Sequence, residues 1–121
     1  MKSLGVEIVE MDVKKLVELL NAALADEWLA YYQYWIGAKV VQGCESRLVA
    51  AELEEHAKEE LEHATKIVER IVKLQGKPIV NPAEWSKKTN CGYEAPISTD
   101  VKKILQQNIK GEQCAIGVYN D

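Results

Sequence analysis

The sequence has no basic run. Its 15 lysines and arginines are outnumbered by 19 acids, and the formal net charge is −4. That balance argues against the electrostatic footprint of a nucleic-acid binder. Long apolar runs are absent too. The first seven residues are interrupted by charge and have no apolar core, so they do not read as a secretory leader. The apolar-rich stretch from Trp28 to Val41 carries Gln33, Lys39 and five aromatic residues, which makes it too short and too polar to span a bilayer. These absences predict a soluble cytoplasmic protein with neither a membrane nor a nucleic acid as partner. Cysteine is scarce: Cys44, Cys91 and Cys114 are an odd number at wide spacing, which argues against a secreted disulfide scaffold and against a zinc ribbon. Three reduced thiols are the default for such a chain. There is no internal repeat and no low-complexity stretch. With 121 residues, 47% hydrophobic and 28% charged, the composition suits one globular domain with a modest core.

What is present is helical periodicity. Helix A is predicted from Asp12, a good N-cap, to about Gln42, with Gly43 as its stop. Its inner stripe is Val13, Leu16, Leu20, Leu24, Glu27, Tyr31, Tyr34, Ala38 and Val41, in steps of three and four. Helix B is predicted from Ser46 to Gln75, ended by Gly76 and Pro78. Its stripe runs Val49, Leu53, His56, Glu60, His63, Ile67, Ile71, Leu74: apolar at both ends and polar in the middle. Residues 76–98 hold all three prolines and form either a crossover between parallel helices or a functional loop, pinned to the bundle by Trp85 and Tyr93. Helix C should open at Ser98 or Thr99 with Asp100 in its first turn, and its stripe is Val101, Leu105, Asn108, Glu112, Ala115, Tyr119.

Each stripe is interrupted by a metal-ligand type of residue: Glu27 in A, Glu60 and His63 in B, Glu112 in C. Burying one unpaired carboxylate costs several kcal/mol. Several such groups facing one another are tolerated if cations sit between them. Glu60 and His63 form an E-x-x-H, whose i and i+3 side chains share a helix face and can bind one cation. Alone that spacing is weak, since it arises by chance in acidic helices. A facing Glu27, at similar height if the two helices are antiparallel, makes half of a di-iron carboxylate site. Carboxylate and imidazole suit iron or manganese; zinc is less favoured because no thiolate lies on the stripes. His56, one turn before Glu60, is either a third nitrogen near the site or a helix-face histidine paired with Glu52 or Glu59. Glu52, Glu54, Glu55, Lys58, Glu59 and Glu62 read as a solvated face. Of Trp28, Tyr31, Tyr32, Tyr34 and Trp35, helix A cannot turn all inward, so some should bury a subunit interface.

The same residues carry a family resemblance. The segment Asp26-Glu27-Trp28-Leu29-Ala30-Tyr31-Tyr32-Gln33-Tyr34 resembles the first-helix motif of bacterioferritin and its relatives. Glu59-Glu60-Leu61-Glu62-His63-Ala64 resembles the second-helix motif, and Gly111-Glu112-Gln113-Cys114-Ala115-Ile116 the start of the third. Asn81-Pro82, Trp85, Cys91, Tyr93, Pro96 and Cys114 are similar to the Dps-like branch called thioferritin. The resemblance covers nearly the whole chain from Asp12 onward. It implies an all-α, ferritin-like antiparallel helical bundle in a single domain, with helices A, B and C present. It also implies iron in a di-iron centre, with Glu27 and His63 as terminal ligands, Glu60 bridging, Glu112 on the second iron and Tyr34 beside them. Cys91 and Cys114 match the thioferritin cysteine pair, a redox-active thiol pair or disulfide near the iron. The implied activity is oxidation of Fe(II) by hydrogen peroxide or O2 with storage as mineral in a twelve-subunit shell, protecting against peroxide.

The sequence departs from the family at its end. A complete site needs a second E-x-x-H from a fourth helix, and the 121 residues end before one forms. The expectation is therefore a fragment, or a chain completed by another. Two other functions fit the residues: a rubrerythrin-like peroxidase, although no Cys-x-x-Cys electron-donor module is present, and a metal-free helical interaction module whose buried acids share protons.

Overall fold

The computed structural model describes residues 4–95 and 100–120. Two long helices dominate: α1 (Leu4–Val40) and α2 (Ser46–Lys73), joined by a five-residue turn. A 3-10 turn (Pro82–Glu84) runs straight into the one-turn helix α3 (Trp85–Lys88), and α4 (Val101–Asn120) completes the set. The expected all-α bundle is what forms. Among the described residues no strand occurs, and one isolated bridge pairs Gln42 with Asp100.

Helices α1 and α2 are antiparallel, as their buried pairs show. Tyr34 and Ala38, late in α1, pack with Val49, Leu53 and Ala57, early in α2; Leu24, earlier in α1, packs with Ala64 and Ile71. Leu24, Leu53, Ile71 and Ile104 are fully buried. Each stabilises the fold by about 1.5–3 kcal/mol relative to leaving it exposed. Between these two apolar clusters lies a polar band at Glu27, Glu60 and His63, so the polar middle expected of helix B is real.

Several boundaries differ from those that the periodicity suggests. Helix α1 begins at Leu4, eight residues before Asp12, and ends at Val40 rather than Gln42. Asp12 is exposed in mid-helix, where a good capping residue costs at most about 0.7 kcal/mol. Ser98 and Thr99 lie outside the described residues. Helix α4 starts at Val101, and Asp100 acts as its cap rather than sitting in its first turn: Lys103 N donates to Asp100 Oδ2 at 3.3 Å. The buried stripe of α4 runs through Ile104, 2% exposed, and not through the expected Leu105, 40% exposed.

Helix α2 ends in a Schellman motif. Gly76 N donates to Ile71 O and Gln75 N to Val72 O, both at 2.9 Å. The left-handed residue is Gln75 (φ 60°), not the glycine. Gly76 is needed for space instead: a Cβ there would lie 2.6 and 2.9 Å from the two γ-methyls of Val17. Left-handed backbone at a non-glycine residue costs roughly 1–2 kcal/mol, and the close approach to α1 takes the glycine first.

From that turn the connection climbs back along α1. Asn21, 7% exposed, donates to Lys77 O and accepts from Ile79 N, both at 3.0 Å. Asn81 caps the 3-10 turn by accepting from Ala83 N at 3.1 Å, with Pro82 supplying its first position. Trp85 stacks flat on Trp28 at 5.5 Å between ring centroids, and Tyr93 meets Tyr32 at 6.2 Å. The segment is thus a crossover pinned by Trp85 and Tyr93, and it returns α4 parallel to α2.

Candidate metal centre

Glu27 sits on the α1 face that carries Leu24 and Tyr34, and it is 5% exposed. Glu60 and His63 project from the facing turn of α2. His63 Nδ1 lies 3.5 Å from Glu27 Oε2 and 3.7 Å from Glu60 Oε2. One ligand atom from each of the three falls within 4.8 Å of the other two. Atoms bound to one ion at about 2.1 Å stand roughly 3.0–3.4 Å apart, so small rotamer shifts would bring this set onto a single cation. Two carboxylates and an imidazole form a mixed oxygen and nitrogen donor set that iron and manganese accept. The residues therefore fit a divalent ion. The E-x-x-H geometry and the equal height of Glu27 and Glu60 are as expected. The His63 side chain is not inward, however: it is 53% exposed, although its Nδ1 still reaches both acids.

Glu112 is placed differently. It lines the same cavity as Glu27 and Glu60 but stands outside the three-residue cluster. Tyr34 OH donates to Glu112 Oε1 at 2.7 Å, and His56 Nδ1 lies 3.4 Å from the same oxygen. His56 Nε2 faces Glu52 at 3.5 Å, so this histidine bridges the solvated face and the cavity side. Burial, the hydrogen bond to Glu112, and the negative charges of Glu112, Glu27 and Glu59 push the Tyr34 phenol well above its usual range. Tyr34 is thus a neutral donor that fixes the Glu112 carboxylate.

The cavity has a volume of about 250 Å³ and is walled on its far side by Cys91, Gly92, Lys110 and Cys114. Cys91 and Cys114 are joined by a disulfide, Cα–Cα 6.0 Å, and Cys44 is free and exposed. The loop bearing Cys91 is held by Asp26, a residue that sequence reasoning missed. Its carboxylate accepts from Asn90 N and Asn90 Nδ2 at 2.8 Å, from Cys91 N at 3.0 Å, and from Thr89 Oγ1. Its partners are more than 60 residues away in sequence, so no local pattern marks them.

The ferritin-like domain family matches residues 17–121. The chain belongs to the ferritin-like family. Among its relatives is the "DNA protection during starvation protein" of Pyrococcus furiosus, 32% identical over 96% of this chain and 63% of its own length. The bacterioferritin of Rhodobacter capsulatus is 29% identical over 88% of this chain and 61% of its own length. A solved dodecameric thioferritin, the bacterioferritin-related protein of Bacteroides fragilis, is 48% identical with a TM-score of 0.87, covering 89% of this chain and 64% of that one. This ferritin-like chain thus spans about three fifths of the length of the relatives it matches. Among its described residues, no helix is long and apolar enough to cross a membrane.

Proposed function

We propose that this ferritin-like chain binds ferrous iron at Glu27, Glu60 and His63, with Glu112 as the ligand of a second iron, and serves iron oxidation and storage. The observation that carries the reading is Glu27, a carboxylate 5% exposed, set against a second carboxylate and an imidazole between two apolar clusters. A cation is the natural charge partner for such a group. Fe(II) is the substrate here. Two Fe(II) give two electrons to one hydrogen peroxide, which takes up two protons and leaves as two waters. The protein's part is to hold the two ions where both electrons leave together, releasing no hydroxyl radical. Glu27 and Glu60 supply the negative charge, His63 a ring nitrogen, and Tyr34 keeps Glu112 turned toward the cavity. O2 is the alternative oxidant.

The similarity to a dodecameric thioferritin supports assembly into a shell, with the product stored inside as ferric mineral. Tyr32 and Trp35, 48% and 39% exposed, suit such an assembly face. The Cys91–Cys114 pair adds a second two-electron reservoir in the same cavity wall. The test is stopped-flow absorbance after mixing Fe(II) and peroxide with the full-length protein. Glu60→Ala should abolish the rapid phase, a loss of more than about 100-fold and so beyond the roughly 10–100-fold typical of an outer partner. An unchanged rate removes Glu60 from the site. Size-exclusion chromatography separates storage, seen as a large particle, from a small peroxidase, and metal analysis separates both from a metal-free interaction module.

A further inference from the structure

The disulfide does not fasten its loop alone. Residues 89–91 place four donors on the single carboxylate of Asp26: Thr89 Oγ1, Asn90 N, Asn90 Nδ2 and Cys91 N. Hydrogen bonds to an ionised acceptor are about twice as strong as neutral ones. Thr89 Oγ1 in turn accepts from Gly92 N at 3.0 Å, and Gly92 takes a left-handed φ of 72°, which turns the chain just past Cys91. Cys114, the other half of the pair, sits on α4. That helix is fastened to α1 independently, through buried Ile104 and the Tyr34–Glu112 hydrogen bond. Both cysteines are therefore referred to the same helix by contacts that do not involve sulfur.

We propose that Asp26 is the positioning residue of a thiol–disulfide couple: its carboxylate keeps Cys91 within reach of Cys114 whether the S–S bond is closed or open. The consequence is thermodynamic. An untethered loop would let Cys91 wander once the bond opens, and the two thiols would meet at a low effective concentration. The clamp removes that freedom from the reduced state, so the disulfide re-forms readily and resists reduction. Reciprocity requires the converse, that the closed disulfide strengthens the clamp. Because Asp26 and Glu27 are consecutive on α1, the couple stays seated in the wall of the Glu27–Glu60 cavity. The inference does not depend on iron, and its test uses metal-free protein.

The experiment equilibrates the full chain, in a Cys44→Ser background, with glutathione buffers at one fixed pH. Two glutathione thiols reduce the protein S–S bond, leaving a thiol on each cysteine and one oxidised glutathione. Alkylation and mass analysis count the two forms. Asp26→Ala should lower the equilibrium constant for disulfide formation at least tenfold, equivalent to about 30 mV for a two-electron couple. Asp26→Asn, which sets an amide NH2 against the Asn90 amide, should fall between. Asn90→Ala should shift the constant in the same direction. Asp26→Ala combined with Asn90→Ala should be no worse than Asp26→Ala alone, because both remove one interaction. An unchanged constant in a folded Asp26→Ala protein overturns the proposal, and so does strict additivity in the double variant. If Asp26→Ala fails to fold, Asn90→Ala and Thr89→Val decide, since both lie on the loop; no shift in either overturns it.

Discussion

Gly76→Ala probes the joint on which the crossover turns. A β-carbon at position 76 would stand 2.6 Å from Val17 Cγ2, 2.9 Å from Val17 Cγ1 and 3.3 Å from Ile71 Cγ2, where carbon pairs prefer about 3.5–4.0 Å. Rotating Val17 does not relieve this. Its two methyls fill two of three staggered positions, so any other rotamer leaves one of the two offending positions occupied, and valine in a helix holds one rotamer in roughly 90% of cases. The helix-to-crossover contact must therefore open by several tenths of an ångström. Overpacking of this kind costs about 1–3 kcal/mol. Against it stands the gain of about 0.4–1 kcal/mol that alanine brings by restricting the unfolded chain. The net expectation is a loss of about 1–2 kcal/mol, which for a chain of this size lowers Tm by roughly 3–10 °C. Urea unfolding followed by circular dichroism measures it, with the midpoint falling at unchanged slope. Val17→Ala should give back much of the loss in the double variant, because the two side chains compete for one space. A Gly76→Ala protein as stable as its parent would refute the close approach of the α2 terminus to α1.

Asn21→Ala should destabilise the protein by about 1–3 kcal/mol in the same assay, because it leaves the Ile79 N–H and Lys77 carbonyl without their side-chain partner. Tyr34 contributes to the alkaline stability of the metal-free protein. Its folded pKa is raised by burial above the ordinary 10.0, so the stability this group contributes is fully present below pH 10 and is lost as pH climbs toward the folded value. Stability measured at pH 9 and pH 11 should therefore fall less in Tyr34→Phe than in the parent; an equal fall would show that Tyr34 ionises as it does when unfolded.

The helices are legible in the sequence because periodicity is local. Steps of three and four name Leu24, Tyr34, Leu53 and Ile71 as core, and the E-x-x-H spacing alone puts Glu60 and His63 on one turn. The crossover reads only as one of two alternatives, since the climb along α1 depends on pairs such as Asn21–Lys77 and Trp28–Trp85 that lie far apart in sequence. The same distance hides Asp26, whose four donors come from a loop that looks featureless. Register on α4 slips by one because Ile104 and Leu105 are adjacent and equally apolar, and packing alone chooses the first. His63 is expected inside, yet its side chain is 53% exposed while Nδ1 still reaches Glu27 and Glu60, because helical spacing fixes the shared turn but not how far each side chain is covered. At the α2 terminus a glycine is the natural choice for the left-handed position, whereas contact with Val17 claims it and moves that conformation to Gln75.

The central claim is that a buried acid is held in place by a metal. Crystals of the full-length protein soaked anaerobically in ferrous salt, with anomalous data collected at the iron edge, test it most directly. A peak should lie within about 2.0–2.3 Å of oxygens of Glu27 and Glu60 and a ring nitrogen of His63, and it should vanish in Glu60→Ala. A map with no iron between α1 and α2, or with iron bound only on the exposed acidic face of α2, would contradict it.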